Sequence, residues 1–203
     1  MTLNNFLKKY DKAGSVVLLE GKRTVAEADK PKLVKLGFLL ASRSKQMRFR
    51  SGNAPGADEL FAEGVSWLDP SRIELVLPYE RHREKQSFAY DTVSIDELNL
   101  VREPEIVYAS KKGTKTDRLI DSYVAGDRSR VSIKAAYLLR DTLKVMGSSE
   151  KGISPASFAI FYDDTANPKC GGTGHTLLVC ERQNVPYLTQ EVWMKWTEKE
   201  KIC

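Results

Sequence analysis

The chain has 203 residues, of which 41% are hydrophobic and 29% charged, and a formal net charge of +5. This composition is ordinary for a globular domain. The sequence contains no apolar run near the ~20 residues that cross a bilayer. The 32 basic and 27 acidic residues are interspersed, so the charge is compatible with an anionic ligand but does not by itself indicate nucleic-acid binding.

Residues 1–11 contain lysines but lack the apolar core of a secretory signal. The cysteines Cys170, Cys180 and Cys203 have no CxxC spacing, which indicates free thiols in a reducing compartment. We therefore expect a cytoplasmic protein that does not enter a membrane. Since the chain has only two histidines, no metal site is expected, and no cofactor is identified.

The first half of the chain alternates strand and helix signals. Apolar, β-branched residues between two glycines predict a buried strand at 14–20. A helix begins near Pro31 and carries an apolar stripe. A short strand at 46–50, a helix at about 57–67 and a strand at 73–78 follow.

The segment from about 79 to 130 has the weakest pattern, and we expect a loop or lid over the ligand site. Within it, residues 94–101 are predicted to be helical and residues 105–109 to be a strand or extended segment. Helical periodicity returns at 131–147, where Gly147 is a typical helix stop.

The last third predicts a strand at 157–162, a helix running to residue 181, a strand at 185–188 and a terminal helix at 191–203. Strands that alternate with helices are typical of a mainly parallel sheet covered by helices on both faces. We therefore predict a single α/β domain over residues 1–203, with its ligand at the carboxyl ends of the strands.

A first glycine-rich loop, SGNAPGAD, joins the predicted strand at 46–50 to the next helix. Glycine allows a close approach of the backbone to a ligand, and the helix start offers free N–H groups to a phosphate. A tight turn without a ligand is the alternative. The predicted contacts are Ser51, Gly52, Asn53, Gly56, Ala57 and Asp58.

A second loop, CGGTGHT, follows the predicted strand at 157–162 and repeats this arrangement with added hydroxyl groups. His175 either donates to a phosphate or lies near a base, or else it bonds its own helix neighbours. The predicted contacts are Gly171, Gly172, Thr173, Gly174, His175 and Thr176.

Two weaker candidate sites also follow predicted strands. Gly21, Lys22 and Arg23 either contact phosphate or form a solvent-facing turn. Asp163 and Asp164 either contact a ribose or a metal ion, or serve as turn residues.

The segments at 14–23, 51–65 and 171–190 resemble the SLOG superfamily, in the expected order. Its members include the Rossmann domain of DNA-processing protein A (Smf), the LOG proteins and small bacteriophage proteins. The resemblance implies a Rossmann-like fold with a nucleotide-type ligand at both glycine loops.

The resemblance also bears on catalysis. LOG enzymes hydrolyse nucleoside monophosphates and carry a glutamate six residues after the first glycine of their second motif. Leu177 occupies that position here, which favours ligand binding over hydrolysis. An N-glycosidic or phosphoribohydrolase-type enzyme would need another carboxylate, and the candidates are Glu20, Asp58, Asp163 and Glu181.

DNA-processing protein A members bind single-stranded DNA in recombination, which is the third hypothesis. Basic runs at 43–50 and 81–85 are its candidate contacts, although few aromatic residues are interleaved with them. A homo-oligomer is a further possible assembly, for which Trp193 and Trp196 are candidates unless they pack in the core.

Overall fold

A computed structural model describes residues 1–89 and 91–199. The helices are α1 (Leu3–Tyr10), α2 (Lys30–Arg43), α3 (Ala57–Ser66), α4 (Pro104–Ser110), α5 (Thr114–Val124), α6 (Ile133–Met146), α7 (Gly171–Arg182) and α8 (Gln190–Lys199). The strands are β1 (Val16–Gly21), β2 (Arg48–Ser51), β3 (Ile73–Leu77), β4 (Asp91–Ser94), β5 (Phe158–Tyr162) and β6 (Tyr187–Leu188). Short 3-10 turns occupy Pro70–Arg72, Glu84–Gln86 and Ile95–Glu97.

The six strands form one parallel sheet in the order β4-β3-β2-β1-β5-β6. The chain starts at β1, moves outward through β2, β3 and β4, and then returns to the other side of β1 for β5. Strand order therefore reverses beside β1, which is where ligands bind in open α/β sheets. This architecture confirms the predicted Rossmann-like α/β fold.

Alternate side chains of the central strands enter two different cores, as the two-residue period of a strand requires. Val17 and Leu19 lie in the cluster that also contains residues of α1, α2, α3 and α8. Leu18 points to the opposite face, where it packs with Val145 of α6 and Val179 of α7. The sheet is thus covered by helices on both faces.

Helices α2 and α3 approach closely because glycines lie at their contact. A Cβ at Gly64 would clash with the carbonyl oxygen of Val34, and one at Gly37 would clash with that of Phe61. This packing fixes the direction in which α3 leaves the end of β2, and so positions the first glycine-rich loop.

The segment 79–130 contains β4, α4 and α5. Buried side chains from this segment, among them Ile106, Ile120 and Tyr123, pack on Leu139 and Leu143 of α6. They form a second core on that face of the sheet.

Two element predictions within this segment were wrong. Residues 105–109 lie in a helix, because Pro104 occupies its first turn and Ile106 and Ala109 are buried on one side. Residues 94–101 contain only the 3-10 turn Ile95–Glu97, at whose start the Ser94 N–H donates to the Glu97 carboxylate at 2.9 Å. Neither β4 nor α1 had been predicted.

The terminal helix α8 was predicted at 191–203, and residues 200–203 lie outside the described residues. Trp193 is fully buried and Trp196 is 5% exposed, so both pack in the core as the alternative interpretation had it. The homo-oligomer stays a prediction. Over residues 1–89 and 91–199, no helix is both long and apolar enough to cross a bilayer.

Candidate functional site

A cavity of about 350 Å³ lies at the carboxyl edge of the sheet, beside β1. Its walls are the end of β1, the loop between β2 and α3, the first two turns of α6 and the start of α7. Seven predicted ligand-binding residues line this crevice, and so does the candidate carboxylate Glu20; the seven are Gly21, Lys22, Arg23, Asp58, Gly171, Gly172 and Thr173.

Asp58 joins the two strand ends that open the crevice. Its Oδ1 accepts a hydrogen bond from the Gly21 N–H at 3.1 Å, and its Oδ2 accepts one from the Gly52 N–H at 3.0 Å. Asp58 is 1% exposed and also lies in the first turn of α3, where the helix dipole favours a negative charge. The first glycine loop therefore already holds an anion, supplied by the protein itself.

Three other residues of the first loop also make contacts within the protein. The Asn53 amide donates to the carbonyl oxygens of His82 and Arg83, and its backbone adopts a left-handed conformation with φ of 53°. Gly56 has φ of 90°, and a Cβ there would clash with the carbonyl oxygen of Arg23. Ala57 N–H donates to the carbonyl oxygen of Lys22 at 3.2 Å.

The second loop is arranged differently, because it forms the uncapped start of α7. The N-cap residue Cys170 makes no side-chain hydrogen bond to the helix, and Gly171 and Gly172 are exposed in the crevice. Helix starts of this kind present free N–H groups and a positive dipole end. Gly174 instead packs against the backbone of Lys169, where a Cβ would clash.

Basic side chains surround this helix start. Arg23 and Lys134 are exposed at the crevice, and Lys22 lies 3.6 Å from Asp164 in a partly exposed ion pair. Arg140 is 5% exposed and donates from Nη1 to the carbonyl oxygen of Gly52 at 2.7 Å. The potential in the crevice therefore favours an anion.

A buried ionic network forms the floor of the crevice. Lys144 has no exposed surface, and its Nζ lies 2.6 Å from Glu20 Oε2 and 3.0 Å from Asp141 Oδ1. Thr176 donates to the other oxygen of Glu20 at 2.8 Å. Arg140 Nε lies 2.8 Å from Asp141 Oδ1, but without the alignment of a hydrogen bond.

These neighbours shift the acid–base behaviour of both floor carboxyls. Burial, together with the charges of Asp141 and Asp58, raises the pKa of Glu20 to about 7 against the attraction of Lys144 and Arg140. Burial also opposes ionisation of Asp141, but Arg140 and Lys144 outweigh it and lower the pKa of Asp141. The floor thus contains one carboxyl whose pKa is lowered and one that titrates near neutrality.

His175 lies inside the protein and does not line the crevice. It is 1% exposed, and its Nε2 lies 3.2 Å from the hydroxyl of Thr142, which in turn accepts from Ser110. Burial lowers the pKa of His175 to about 4, so the ring is neutral at pH 7. His175 thus contacts a side chain of α6, whereas the predicted alternatives were a ligand contact or bonds to neighbours in its own helix.

The other candidate carboxylates lie away from the crevice walls. Asp163 Oδ2 accepts from the Lys169 N–H at 2.9 Å, and Glu181 accepts from Lys169 and Tyr187 on the surface. Leu177, at the position of the LOG glutamate, is 1% exposed in the core under α7. Within the described part of the chain, no group of three or more potential ligands is arranged to hold a metal ion.

Five residues of α6 at the crevice were missed by sequence reasoning: Lys134, Tyr137, Leu138, Arg140 and Asp141. The ring of Tyr137 is half-buried and meets the rings of Tyr79 and His82 edge-on at 6.3 and 5.9 Å. The available signal was the set of charges at positions 140, 141 and 144 beside the apolar stripe of this helix, since buried charges need partners.

The basic run at 43–50 does not reach the crevice. Arg50 has no exposed surface and is held by Glu74 and by the carbonyl oxygens of Lys144 and Ser154. Arg48, at the amino end of β2, pairs with Asp91. In the second run, Arg83 binds Glu59 and the backbone of Asn53.

No family model and no curated protein sequence matches this chain. Its fold is similar to a solved structure of DNA processing protein A from Helicobacter pylori, which was described for its mode of single-stranded DNA binding. The TM-score is 0.51 at 15% sequence identity, and the match covers 89% of this chain and 67% of that chain. At this identity the likeness shows the fold alone.

Replacing Asp58 tests whether the first loop depends on its internal anion. Asp58→Ala leaves two buried N–H groups without an acceptor, so we expect the free energy of unfolding to fall by about 2–4 kcal/mol. Asp58→Asn keeps one acceptor oxygen and should lose less. Urea denaturation measures both, with Glu63→Ala on the same helix as the control. Equal stability of Asp58→Ala and this control would contradict the assignment.

We expect the protein to lose stability in acid because of its two histidines. Burial lowers the pKa of both His82 and His175 from 6.5 to about 4, so between these values the unfolded chain binds protons that the folded chain does not. The stability that depends on these neutral rings is fully present above pH 6.5 and is lost as the pH falls towards 4. Urea unfolding should therefore show that the His175→Gln variant loses less stability than the wild type when the pH falls from 7 to 5. An unchanged pH dependence would show that His175 is not buried neutral.

Proposed function

We propose that the crevice binds a nucleotide-type ligand, with its phosphate at the start of α7. The observation that carries this proposal is the uncapped helix start at Gly171 and Gly172, which opens into a cavity lined by basic side chains. Free N–H groups, a helix dipole and nearby cations together form a favourable environment for a phosphate.

The dimensions and the remaining walls of the crevice support this ligand class. A volume of about 350 Å³ lies within the range of small-molecule sites. Tyr137 supplies an aromatic surface for a base, and its edge-on contacts with Tyr79 and His82 hold the ring in place. Asp141, which is 1% exposed, offers a carboxylate to hydroxyl groups of a sugar.

We favour binding over hydrolysis because the carboxylates have internal partners. Glu20 is bound by Lys144 and Thr176, and Asp58 by two backbone N–H groups. Leu177 belongs to the core. A hydrolase would have to release Glu20 from this network before it could act on a sugar carbon.

Isothermal titration calorimetry with the four nucleoside monophosphates tests the proposal. Lys134→Ala should weaken binding about tenfold or more, because a charge-assisted hydrogen bond contributes about 1.5–3 kcal/mol. Gly172→Asp should abolish binding by placing a carboxylate at the phosphate position. Lys12→Ala, an exposed lysine before β1, is the control and should bind as the wild type does. If no nucleotide binds the folded wild-type protein, the proposal fails.

Single-stranded DNA is the second candidate ligand, since the structural neighbour was described for binding it. A strand presents the same phosphate and base groups to the crevice. The exposed cations Arg23 and Lys134 and the ring of Tyr137 are suited to such a ligand.

Salt dependence of oligonucleotide binding tests this second candidate. Each lost phosphate contact should reduce the slope of log affinity against log salt by about one. In fluorescence anisotropy, Arg23→Ala and Lys134→Ala should each reduce this slope, whereas Lys12→Ala should leave the slope unchanged. Slopes that do not differ among the three variants would exclude the crevice as the DNA site.

A further inference from the structure

A hollow of about 600 Å³ lies at the far end of α7 from the crevice. The last turn of α4, the turn into α5 and the carboxyl end of α7 form its walls. Helix α7 has 12 residues and is therefore about 18 Å long, which separates this hollow from the crevice. We call it the Tyr108 groove; the residues that matter are Tyr108, Lys111, Lys112, Asp117 and Arg182.

An exposed aromatic ring forms one side of the Tyr108 groove. Tyr108 is 81% exposed, although Ile106 and Ala109 of the same short helix are buried. A second hollow of about 430 Å³ lies beside the same ring, next to Pro104 and Met146. The ring is therefore accessible from two hollows, which leaves it free to stack on a planar group.

The groove also carries an excess of positive charge. The Arg182 guanidinium donates to the carbonyl oxygen of Lys111 at 3.1 Å, which fixes it at the edge of the groove. Lys112 is exposed, and no described residue forms an ion pair with it. Lys111 pairs with Asp121, while the carboxylate of Asp117 accepts from the backbone N–H groups of Lys112 and Gly113.

We propose that the Tyr108 groove binds single-stranded nucleic acid, with a base on Tyr108 and phosphate oxygens on Lys112 and Arg182. Stacking aromatics beside cations are the combination that single strands require, because every base has a stacking face and every nucleotide carries a charge. An acidic peptide would use the cations but would leave the exposed ring without a function. This contact is separate from the crevice and does not depend on the ligand bound there.

Fluorescence anisotropy of the full chain with a labelled oligothymidylate, at low and moderate salt, tests the proposal. Tyr108→Ala should weaken binding about tenfold, since each stacked base contributes about 1–3 kcal/mol. Tyr108→Phe keeps the ring and should bind as the wild type does. Lys112→Ala should weaken binding and reduce the salt slope by about one. Trp67→Ala removes another exposed aromatic, outside the groove, and is the matched control.

The following outcomes would overturn the proposal. Wild-type affinity in Tyr108→Ala, or an equal loss in Tyr108→Phe and Tyr108→Ala, would remove stacking as the cause. Displacement of the oligonucleotide by a nucleoside monophosphate, with no effect of Tyr108→Ala, would place the strand in the crevice and leave the proposed function intact. Displacement by polyglutamate as effectively as by unlabelled oligothymidylate would indicate a general site for polyanions.

Discussion

The buried ammonium group of Lys144 imposes the constraint on which the crevice depends. A fully buried cation is tolerated only with close negative partners, and Glu20 and Asp141 supply them. Glu20 belongs to β1 and Asp141 to α6, so the pairing fixes that helix over the carboxyl end of the central strand. Because the same turn of α6 carries Arg140, which donates to the backbone of Gly52, the end of β2 is held as well.

This constraint decides which groups remain for a ligand. Glu20, Asp58 and the N–H groups of Gly52 and Ala57 are used within the protein, and Asp141 Oδ1 is held by Arg140 and Lys144. The acceptor that remains at the crevice is mainly Asp141 Oδ2, which lies beside Gly172. The donors that remain are the N–H groups of α7 and the exposed cations of the rim. The two glycine loops, similar in sequence, therefore differ in structure. One loop is closed by Asp58, and the start of the other is exposed to the crevice.

Much of the sheet could be predicted because its strands are buried on both faces. Such strands read as short apolar runs between turn residues, as at β1, β3 and β5. The edge strand β4 could not be predicted, since Asp91 and Thr92 are exposed and only Ser94 is buried. The site was predictable where glycines mark a strand-to-helix turn. The contribution of α6 was not, because a stripe of leucines identifies a core face and does not show that charges beside it face a crevice.

The position of Leu177 shows why a carboxylate would not fit in the second turn of α7. Helix α7 faces the crevice only over its first turn, at Gly171 to Thr173, and the residues that follow, Gly174 to Leu177, are buried. A carboxylate at position 177 would have to compete with Leu18 and Val145 for space in the core. Apolar packing at position 177 therefore stabilises α7, while the first turn of the same helix stays exposed to the crevice.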